Sequence, residues 1–300
     1  MTIEIIKFVR RKKITSVILR GFDTALLFPF LKLQRVKTFY DFHGRLDLEL
    51  IQLNRHILSV FARICEKINL HFADKIVIVS EGIQSQIPEY QHKCLLLQNG
   101  VDIQMIEAAR NRTPTIELPA DKYIVGFVGN WEHMMVIDDI CNAVEFVDNT
   151  ISLIIGKGHN GEKVISRYND STNNIFTGQI DQKDAMNLLY RMNVCVIPYD
   201  KNHYMANVSN FFSNRKIYEY MSAGKPIILS DIEGRPKFLI EGKNCLTYES
   251  RNPKDLAEKI SLLKNNPTMA EEMSKNNKEL AKNYTWTKII ENSGILDELT

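Results

Sequence analysis

The segment Ser213–Pro226 has the sequence SNRKIYEYMSAGKP and gives the clearest indication of how this chain folds. Ser213 or Asn214 suits the start of a helix, because either side-chain oxygen can accept a hydrogen bond from an unpaired first-turn amide. Gly224 suits the position just after a helix, and Pro226 suits the start of a strand. The segment therefore predicts a helix over Arg215–Ala223 that leads directly into a strand.

The start of this helix has the chemistry of an anion site. Its first amides, together with Arg215 and Lys216, can face a negatively charged group such as a diphosphate. Lys216 and Glu219 are three residues apart and share one face of the helix, so both can address one ligand. A carboxylate one turn beyond a phosphate site is well placed to accept hydrogen bonds from ribose hydroxyls. The alternative is an ordinary surface helix with an ion pair at this spacing.

Strands and helices alternate on both sides of this segment, and continuous apolar strands of this kind belong to parallel sheets buried on both faces. Beyond residue 120, strands are predicted at Tyr123–Val128, Ile151–Ile155, Asn174–Thr177, Val194–Pro198, Pro226–Ser230 and Cys245–Tyr248. The helices predicted between and after them are Asp138–Val147, Gln182–Met192, Arg215–Ala223, Pro253–Asn265, Pro267–Tyr284 and Thr285–Ser293.

A second, earlier series has the same alternation. It has predicted strands at Thr15–Leu19, Thr38–Phe42, Lys75–Val79 and Cys94–Leu97, and helices at Thr2–Arg11 and Leu48–Leu70. The polar stretch Asn111–Ala120 is predicted to link the two series. We therefore predict an α/β fold with two Rossmann-like domains, residues 1–115 and 116–300, whose ligands lie beyond the carboxyl ends of the strands.

The loop from Gly156 to Gly161 matches the spacing G-x-G-x-x-G of a dinucleotide-binding fingerprint. That fingerprint also needs the first strand of its unit before it and an acidic residue about 20 positions later. Here the loop follows the second strand, and the next strand ends in Thr177 and Gly178 without a carboxylate. A tight turn that needs glycine is the better interpretation, and an NAD-dependent enzyme is a weak alternative.

The region Tyr123–Trp286 resembles the donor domain of glycosyltransferase family 4, because several short motifs occur in the family's order. These are GFVG at 126–129, LIIGKG at 153–158, IFTG at 175–178 followed by Ile180, LLY at 188–190, the segment 213–226, IEGKN at 240–244 and YTW at 284–286. The first domain matches more loosely, through YDFHG at 40–44, ADKIVIVS at 73–80 and LQNGVD at 97–102.

The resemblance implies a GT-B fold, in which two Rossmann-like domains face a cleft and a nucleotide-diphosphate sugar binds the C-terminal one. It also implies sugar transfer with retention of configuration, no metal and no cofactor. Lys216 would carry the catalytic positive charge, and His43 would face the acceptor. The remaining residues implied to bind the donor are Gly129, Asn130, Gln179, Ile180, Ser213, Asn214, Arg215 and Glu219.

The sequence departs from the family pattern in three places. Phe211 stands eight positions before Glu219, where many relatives have a second glutamate, and Asn130 stands where many have arginine. The opening strands and glycine-rich loop of the acceptor-side domain have no counterpart before Thr15. From these departures we expect the N-terminal domain to lack its first strands, so that the chain is a fragment or a partner completes the site.

Composition narrows the class of partner. The 38 basic and 36 acidic residues give a net charge of +2, which excludes bulk electrostatic attraction to nucleic acid. The histidines have no metal-ligand spacing, and no apolar run is long enough to cross a bilayer. We expect a cytoplasmic protein. Arg10–Lys13, followed by Phe22, Phe28 and Phe30, allows peripheral contact with the inner face of the membrane, and a solvated basic cluster is the alternative.

These expectations converge on a metal-independent retaining hexosyltransferase. It would move a sugar from a nucleotide-diphosphate sugar to a saccharide or lipid-linked saccharide, in lipopolysaccharide O-antigen or capsule biosynthesis. Two alternatives stay open. One is a non-catalytic nucleotide-sugar-binding fragment that acts in a complex, and the other is a nucleotide-sugar epimerase on the same fold.

Overall fold

The computed structural model of the protein describes residues 2–114, 116–131, 133–158 and 161–299. The strands are β1 (Ser16–Arg20), β2 (Lys37–Phe42), β3 (Lys75–Ile78), β4 (Cys94–Leu96), β5 (Tyr123–Val128), β6 (Thr150–Ile155), β7 (Asn174–Gly178), β8 (Val194–Ile197), β9 (Ile227–Ser230) and β10 (Leu246–Tyr248). The helices of the first half are α1 (Thr2–Lys12), α2 (Leu27–Leu33), α3 (Leu46–Gln52), α4 (His56–Phe72), α5 (Glu81–Ser85) and α6 (Ile103–Ala109). Those of the second half are α7 (Ile137–Ala143), α8 (Gly161–Arg167), α9 (Gln182–Arg191), α10 (Arg215–Ser222), α11 (Pro253–Asn265), α12 (Pro267–Ala281), α13 (Trp286–Ser293) and α14 (Ile295–Leu299).

The chain divides into two compact units. Unit 1 comprises the residues up to Gln98 together with those from Ile289 onward, and unit 2 comprises Asn99–Lys288. In unit 1 four parallel strands lie in the order β1-β2-β3-β4. Strands β2 and β3 carry its most buried side chains, among them Phe39 and Ile76, because helices cover both faces of the middle of the sheet.

Unit 2 contains a six-stranded parallel sheet in the order β10-β9-β8-β5-β6-β7. Counted from β5, this is the 3-2-1-4-5-6 order of a Rossmann fold, and its order reverses between β5 and β8. All residues of β6, β8 and β9 are buried, as their continuous apolar sequences predict. The α/β class and the two Rossmann-like parallel sheets predicted from the sequence are therefore confirmed.

The helix predicted over Leu48–Leu70 is wrong as a single element. It is two helices, α3 and α4, because Asn54 between them adopts the left-handed conformation, with φ of 57°. The helix predicted to reach Tyr284 ends at Ala281, and its last turn continues as a 3₁₀ helix over Lys282–Tyr284. In both cases the apolar periodicity continues across the break, so the sequence pattern alone did not reveal it.

Only part of the aromatic cluster proposed for membrane contact is exposed. Phe30 is 49% exposed, but Phe28 is fully buried and packs edge-to-face on Tyr40 in the core of unit 1. The inclusion of Phe28 was wrong, because it points from α2 onto the sheet. Within the described ranges, the structure contains no helix with the length and apolarity required to cross a bilayer.

A buried carboxyl group gives unit 1 a predicted pH dependence. Glu66 of α4 is only 5% exposed and accepts a hydrogen bond of 3.2 Å from the amide of Leu46. Burial raises the pKa of Glu66 from 4.5 to about 7. Between these two pH values the folded state holds a proton that the unfolded state has released, so the free energy of unfolding falls as the pH rises.

We expect Glu66→Gln to remove this contribution, because the amide stays neutral and its oxygen can still accept from Leu46. Urea denaturation measures the free energy of unfolding of both proteins. The value for the variant should rise relative to that of the wild type by about 3 kcal/mol from pH 4.5 to pH 7. Exposed Glu272→Gln is the control and should leave the wild-type pH profile unchanged. Parallel pH profiles for wild type and Glu66→Gln would contradict the prediction.

Candidate functional site

Three glycines lie at the carboxyl ends of the neighbouring strands β5, β6 and β7. Gly129, Gly156 and Gly178 all have positive φ, of 127°, 122° and 67°. The amide of Gly129 donates to Ile155 (2.9 Å), and that of Gly156 donates to Gly178 (2.8 Å). A methyl group at Gly156 would lie 2.3 Å from the carbonyl oxygen of Gly129, so only glycine lets these loops approach. Because these glycines have no side chains, a ligand can approach the backbone at this edge of the sheet.

The helix α10 begins at the same edge. Asn214 occupies its N-cap position as predicted, but its side chain makes no capping hydrogen bond, and its Nδ2 donates to Tyr199 Oη at 3.1 Å. The first-turn amides of α10 are thus left without a side-chain cap. An uncapped, positively polarised helix start of this kind suits a negatively charged ligand.

Lys216, in the first turn of α10, lies next to Gly129. A methyl group added to Gly129 would lie 3.2 Å from Lys216 Cε and 3.7 Å from its Nζ. The ammonium group also lies 5.2 Å above the centre of the buried Phe127 ring. Lys216 therefore lies over the end of β5, beside the point where the strand order reverses. In Rossmann-like sheets that point is where ligands bind.

The hydroxyl of Tyr220 fixes this placement. It accepts a hydrogen bond of 2.7 Å from the amide of Val128 and donates one of 3.3 Å to the carbonyl of the same residue. Tyr220 is fully buried, so these bonds are shielded from water. The hydroxyl thus joins α10 to the last residue of β5, one residue before Gly129. Sequence reasoning missed this contact, although the buried face of an amphipathic helix was predictable.

Glu219 lies one turn inside α10. Its side chain is 13% exposed and lies 3.6 Å from the guanidinium group of Arg215, which is itself largely exposed. Burial raises the pKa of Glu219 above its usual value, while the charges of Arg215 and Lys216 oppose that rise. The carboxylate is thus held between two cations at the helix start, with part of its surface still open to a ligand.

The hydroxyl of Ser213 is engaged within the protein. It shares a hydrogen bond of 2.8 Å with Tyr218 Oη and accepts one of 3.4 Å from the amide of Asn99. The Asn99 side chain also donates to the carbonyl of Ser213. These bonds fix the backbone that leads into α10. Asn99 was not among the residues predicted for the site, although it lies in a stretch that resembles the family.

The other predicted donor residues lie at the same edge of unit 2. Asn130, directly after Gly129, is exposed, as is Gln179 after Gly178, while Ile180 is half-buried. Phe211 is buried against Tyr204 and Phe212, so an aromatic side chain fills the place where many relatives have a carboxylate.

The glycine loop after β6 has a structural role. Its strand is the second of unit 2, as predicted, and Gly158 pairs with Trp131, whose carbonyl oxygen and ring leave no room for a larger residue. The loop therefore packs against the segment after β5. His159 and Asn160, the middle of the predicted turn, lie outside the described residues. Trp131 was not predicted as a site residue, and its buried indole Nε1 has no partner among the residues that the structure describes.

His43 lies in unit 1, just after β2. Its Nε2 is 2.9 Å from an oxygen of Asp41, which also lies 3.8 Å from Arg20. This is a local hydrogen bond, because Asp41 lies only two positions before His43. In the described part of the chain, no three His, Cys, Asp or Glu residues come together as a metal site.

The chain is similar to known proteins in sequence. Residues 109–280 match the family described as glycosyl transferases group 1. An uncharacterized glycosyltransferase of Methanocaldococcus jannaschii, MJ1178, is 26% identical over 222 residues, which are 73% of this chain and 57% of that protein. Spore coat protein SA of Bacillus subtilis is 25% identical over 234 residues, which are 71% of this chain and 61% of that protein. The chain thus spans less than two thirds of the length of both these curated relatives.

Solved structures share the fold. Sucrose-phosphate synthase from Thermosynechococcus elongatus has a TM-score of 0.79 at 20% identity, covering 97% of this chain and 75% of that one. HepE from Anabaena, solved in complex with UDP, has a TM-score of 0.77 at 14% identity, covering 99% of this chain and 81% of that one. HepE was also solved with UDP-glucose. Because the family match covers more than half of its length, this chain belongs to the group 1 glycosyl transferases.

Proposed function

We propose that the chain binds a nucleotide-diphosphate sugar on unit 2 and transfers its sugar to a saccharide acceptor. The observation that carries the proposal is the position of Lys216 over Gly129, at the reversal point of a Rossmann sheet and at an uncapped helix start. A cation, the positive end of a helix and a close-approaching backbone are what a diphosphate requires. Glu219, one turn further on, is placed to accept hydrogen bonds from the ribose hydroxyls.

Each candidate residue takes a role that follows from its position. Lys216 and Arg215 neutralise the diphosphate, Gly129 lets it approach the backbone, and Ser213 positions the loop rather than contacting the ligand. We propose that Asn130 and Asn214 border the phosphates and that Gln179 and Ile180 flank the base. His43, at the carboxyl end of β2 in unit 1, is proposed to face the acceptor.

The chemistry requires a stabilised leaving group. As the bond between the sugar and the diphosphate breaks, negative charge accumulates on the diphosphate while the sugar becomes oxocarbenium-like. Preorganised positive charge at Lys216 stabilises that separation, which is the kind of electrostatic contribution that lowers barriers most. We propose that the acceptor attacks on the same face, with retention of configuration, and that the cations of this chain act without a metal.

The relatives suggest the substrate class. HepE was solved with UDP and UDP-glucose, so we propose a UDP-hexose as the donor to test first. A Staphylococcus aureus relative named as a capsular polysaccharide biosynthesis glycosyltransferase supports a role in making a surface polysaccharide. We propose a saccharide or a lipid-linked saccharide as the acceptor. Membership of a transferase family favours sugar transfer over epimerisation. The same membership, with the glycine loop after the second strand, disfavours an NAD-dependent reaction.

One alternative stays open, a donor-binding module that needs a partner for turnover. Thermal unfolding of the protein with UDP, GDP and ADP in parallel tests nucleotide binding, which both functions require. A ligand at 100 times its dissociation constant adds about 2.7 kcal/mol to folding stability, so we expect one nucleotide to raise the melting temperature by several degrees.

Donor hydrolysis or transfer then separates the two functions. Turnover of a nucleotide sugar by the purified chain supports the enzyme, and binding without turnover supports the module. If none of the three nucleotides raises the melting temperature, both functions are wrong.

A further inference from the structure

A second cationic site lies in unit 2, away from the helix start that carries the proposed donor site. It is a cavity of about 570 Å³ between the ends of several helices. Five of the side chains that line it are basic, and none of its described lining residues is acidic. The basic residues are Arg110, Arg112, Arg191, Lys225 and Lys278.

The cavity lies at the opposite end of α10 from Lys216. Ala223 and Gly224, which line it, follow the last residue of that eight-residue helix. Eight helical residues span about 12 Å, so a small anion cannot occupy both places at once. The proposed donor site and this cavity are therefore separate.

The walls of the cavity are held by buried hydrogen bonds. The side chain of Asn187, only 1% exposed, donates to the carbonyls of Ala109 and Arg112 at 2.9 Å each. The ammonium group of Lys225 donates to the carbonyls of Tyr190 and Met192 at 2.8 and 2.6 Å. These contacts fix Arg110 and Arg112 on one side and Lys225 on the other. The backbone that carries the cationic side chains of the cavity is thus held in place.

Gly224 brings a further cation into the cavity. Its φ is 64°, and a methyl group there would lie 2.3 Å from Lys278 Cε. The absence of a side chain at Gly224 lets the stem of Lys278 cross the end of α10. Arg110 and Lys225 lie over the Tyr190 ring, at 5.8 and 5.9 Å from its centre.

The positive charge of this cavity is largely uncompensated. Arg112 has an ion pair of 3.3 Å with Asp184. Within the described ranges, no carboxylate forms an ion pair with Arg110, Arg191, Lys225 or Lys278. Burial lowers the pKa of Lys225, and the charges of Lys278 and Arg110 lower it further. In a chain whose net charge is only +2, this concentration of like charge costs stability unless an anion binds.

We propose that this cavity binds a phosphorylated anion, through Arg110, Arg191 and Lys278. Guanidinium groups pair with phosphate oxygens in a bidentate geometry, and a lysine adds a point charge. The phosphate could belong to a free phosphorylated metabolite or to an anionic lipid headgroup, and both present the same group to these cations. The site does not depend on the proposed donor site, since no residue is shared.

Calorimetric titration with pyrophosphate tests the proposal. The double variant Arg191→Ala/Lys278→Ala removes two exposed cations and leaves the buried bonds of Asn187 and Lys225 in place. We expect it to lower the affinity for pyrophosphate at the cavity by about tenfold or more, because each cation makes charge-assisted hydrogen bonds. The melting temperature without ligand should stay the same or rise, since like charges are removed.

Lys275→Ala is the matched control, because it removes one exposed charge from α12, the helix that carries Lys278. Any pyrophosphate that binds near Lys216 binds wild type and both variants equally, so only the difference between them reports the cavity. Equal affinity of wild type and double variant rules out a free anion as the ligand of the cavity, and an equal loss in Lys275→Ala overturns the proposal.

Vesicles distinguish the two sources of phosphate. Retention on phosphatidylcholine vesicles that contain phosphatidylglycerol, lost in the double variant, identifies a lipid headgroup. Pyrophosphate binding that depends on the two cations, without such retention, identifies a free anion. If neither probe distinguishes wild type from the double variant, the cavity has no phosphate ligand.

Discussion

Lys216→Met is expected to lower the rate of sugar transfer by about 10²–10³-fold, the loss typical of removing one preorganised group that stabilises developing charge. Methionine keeps the aliphatic stem over Phe127 and Gly129 but removes the ammonium group. The charge that accumulates on the diphosphate is greatest in the transition state. The variant should therefore lose more in kcat than in nucleotide affinity.

Transfer from UDP-glucose under single-turnover conditions, with UDP affinity measured in parallel, checks this expectation. Lys216→Arg should recover part of the rate, because it restores a positive charge at nearly the same place. The exposed Lys275→Met is the matched control and should transfer at the wild-type rate. A full wild-type rate in Lys216→Met would show that its charge has no part in the reaction.

Glu219→Gln is expected to weaken UDP binding by about tenfold, because hydrogen bonds to a charged acceptor are replaced by weaker bonds to a neutral one. The change keeps the size of the side chain and removes its charge. The loss should be largest for nucleotides and small for pyrophosphate, because Glu219 is proposed to contact the ribose and not the phosphates. Calorimetry with UDP and pyrophosphate measures both, and Glu272→Gln, exposed on α12, serves as control.

The pH profile of binding adds a second readout for Glu219. Burial raises the pKa of this carboxyl group, so it takes up a proton at a higher pH than an exposed glutamate does. Protonation removes the charged acceptor, so UDP affinity should fall as the pH falls through that raised pKa. Glu219→Gln should lack this decline. If the wild type and the variant have pH profiles of identical shape, Glu219 does not bind the nucleotide.

Much of unit 2 was predictable because its signals are local. Continuous apolar strands predict a buried parallel sheet. Asn214 and Gly224 predict the two ends of α10 to within a residue. The resemblance to the family implied that Lys216 and Gly129 belong to one site, and the structure brings the two residues together.

Other features depend on contacts between distant residues. Tyr220 bonds to Val128 across 92 positions, and Asn99 reaches Ser213 across 114. Asn214 was predicted as a cap, yet its side chain makes no capping hydrogen bond, and its Nδ2 donates to Tyr199 Oη. No local pattern specifies such partners, because they are chosen by the packing of the whole unit.

The cationic cavity is the clearest example of this limit. Arg110, Arg191 and Lys278 come from three separate helices or their ends, and each alone is an ordinary exposed basic residue. A net charge of +2 gave no sign of them, because the balance of the whole chain conceals a local excess. Only the fold brings them to one place.

A crystal structure of the protein with UDP tests the central proposal most directly. We expect the diphosphate at the start of α10, within hydrogen-bonding distance of Lys216 Nζ, and the ribose hydroxyls on the carboxylate of Glu219. UDP bound elsewhere, such as among Arg110, Arg191 and Lys278, or a Glu219 carboxylate turned away from the bound nucleotide, would contradict it.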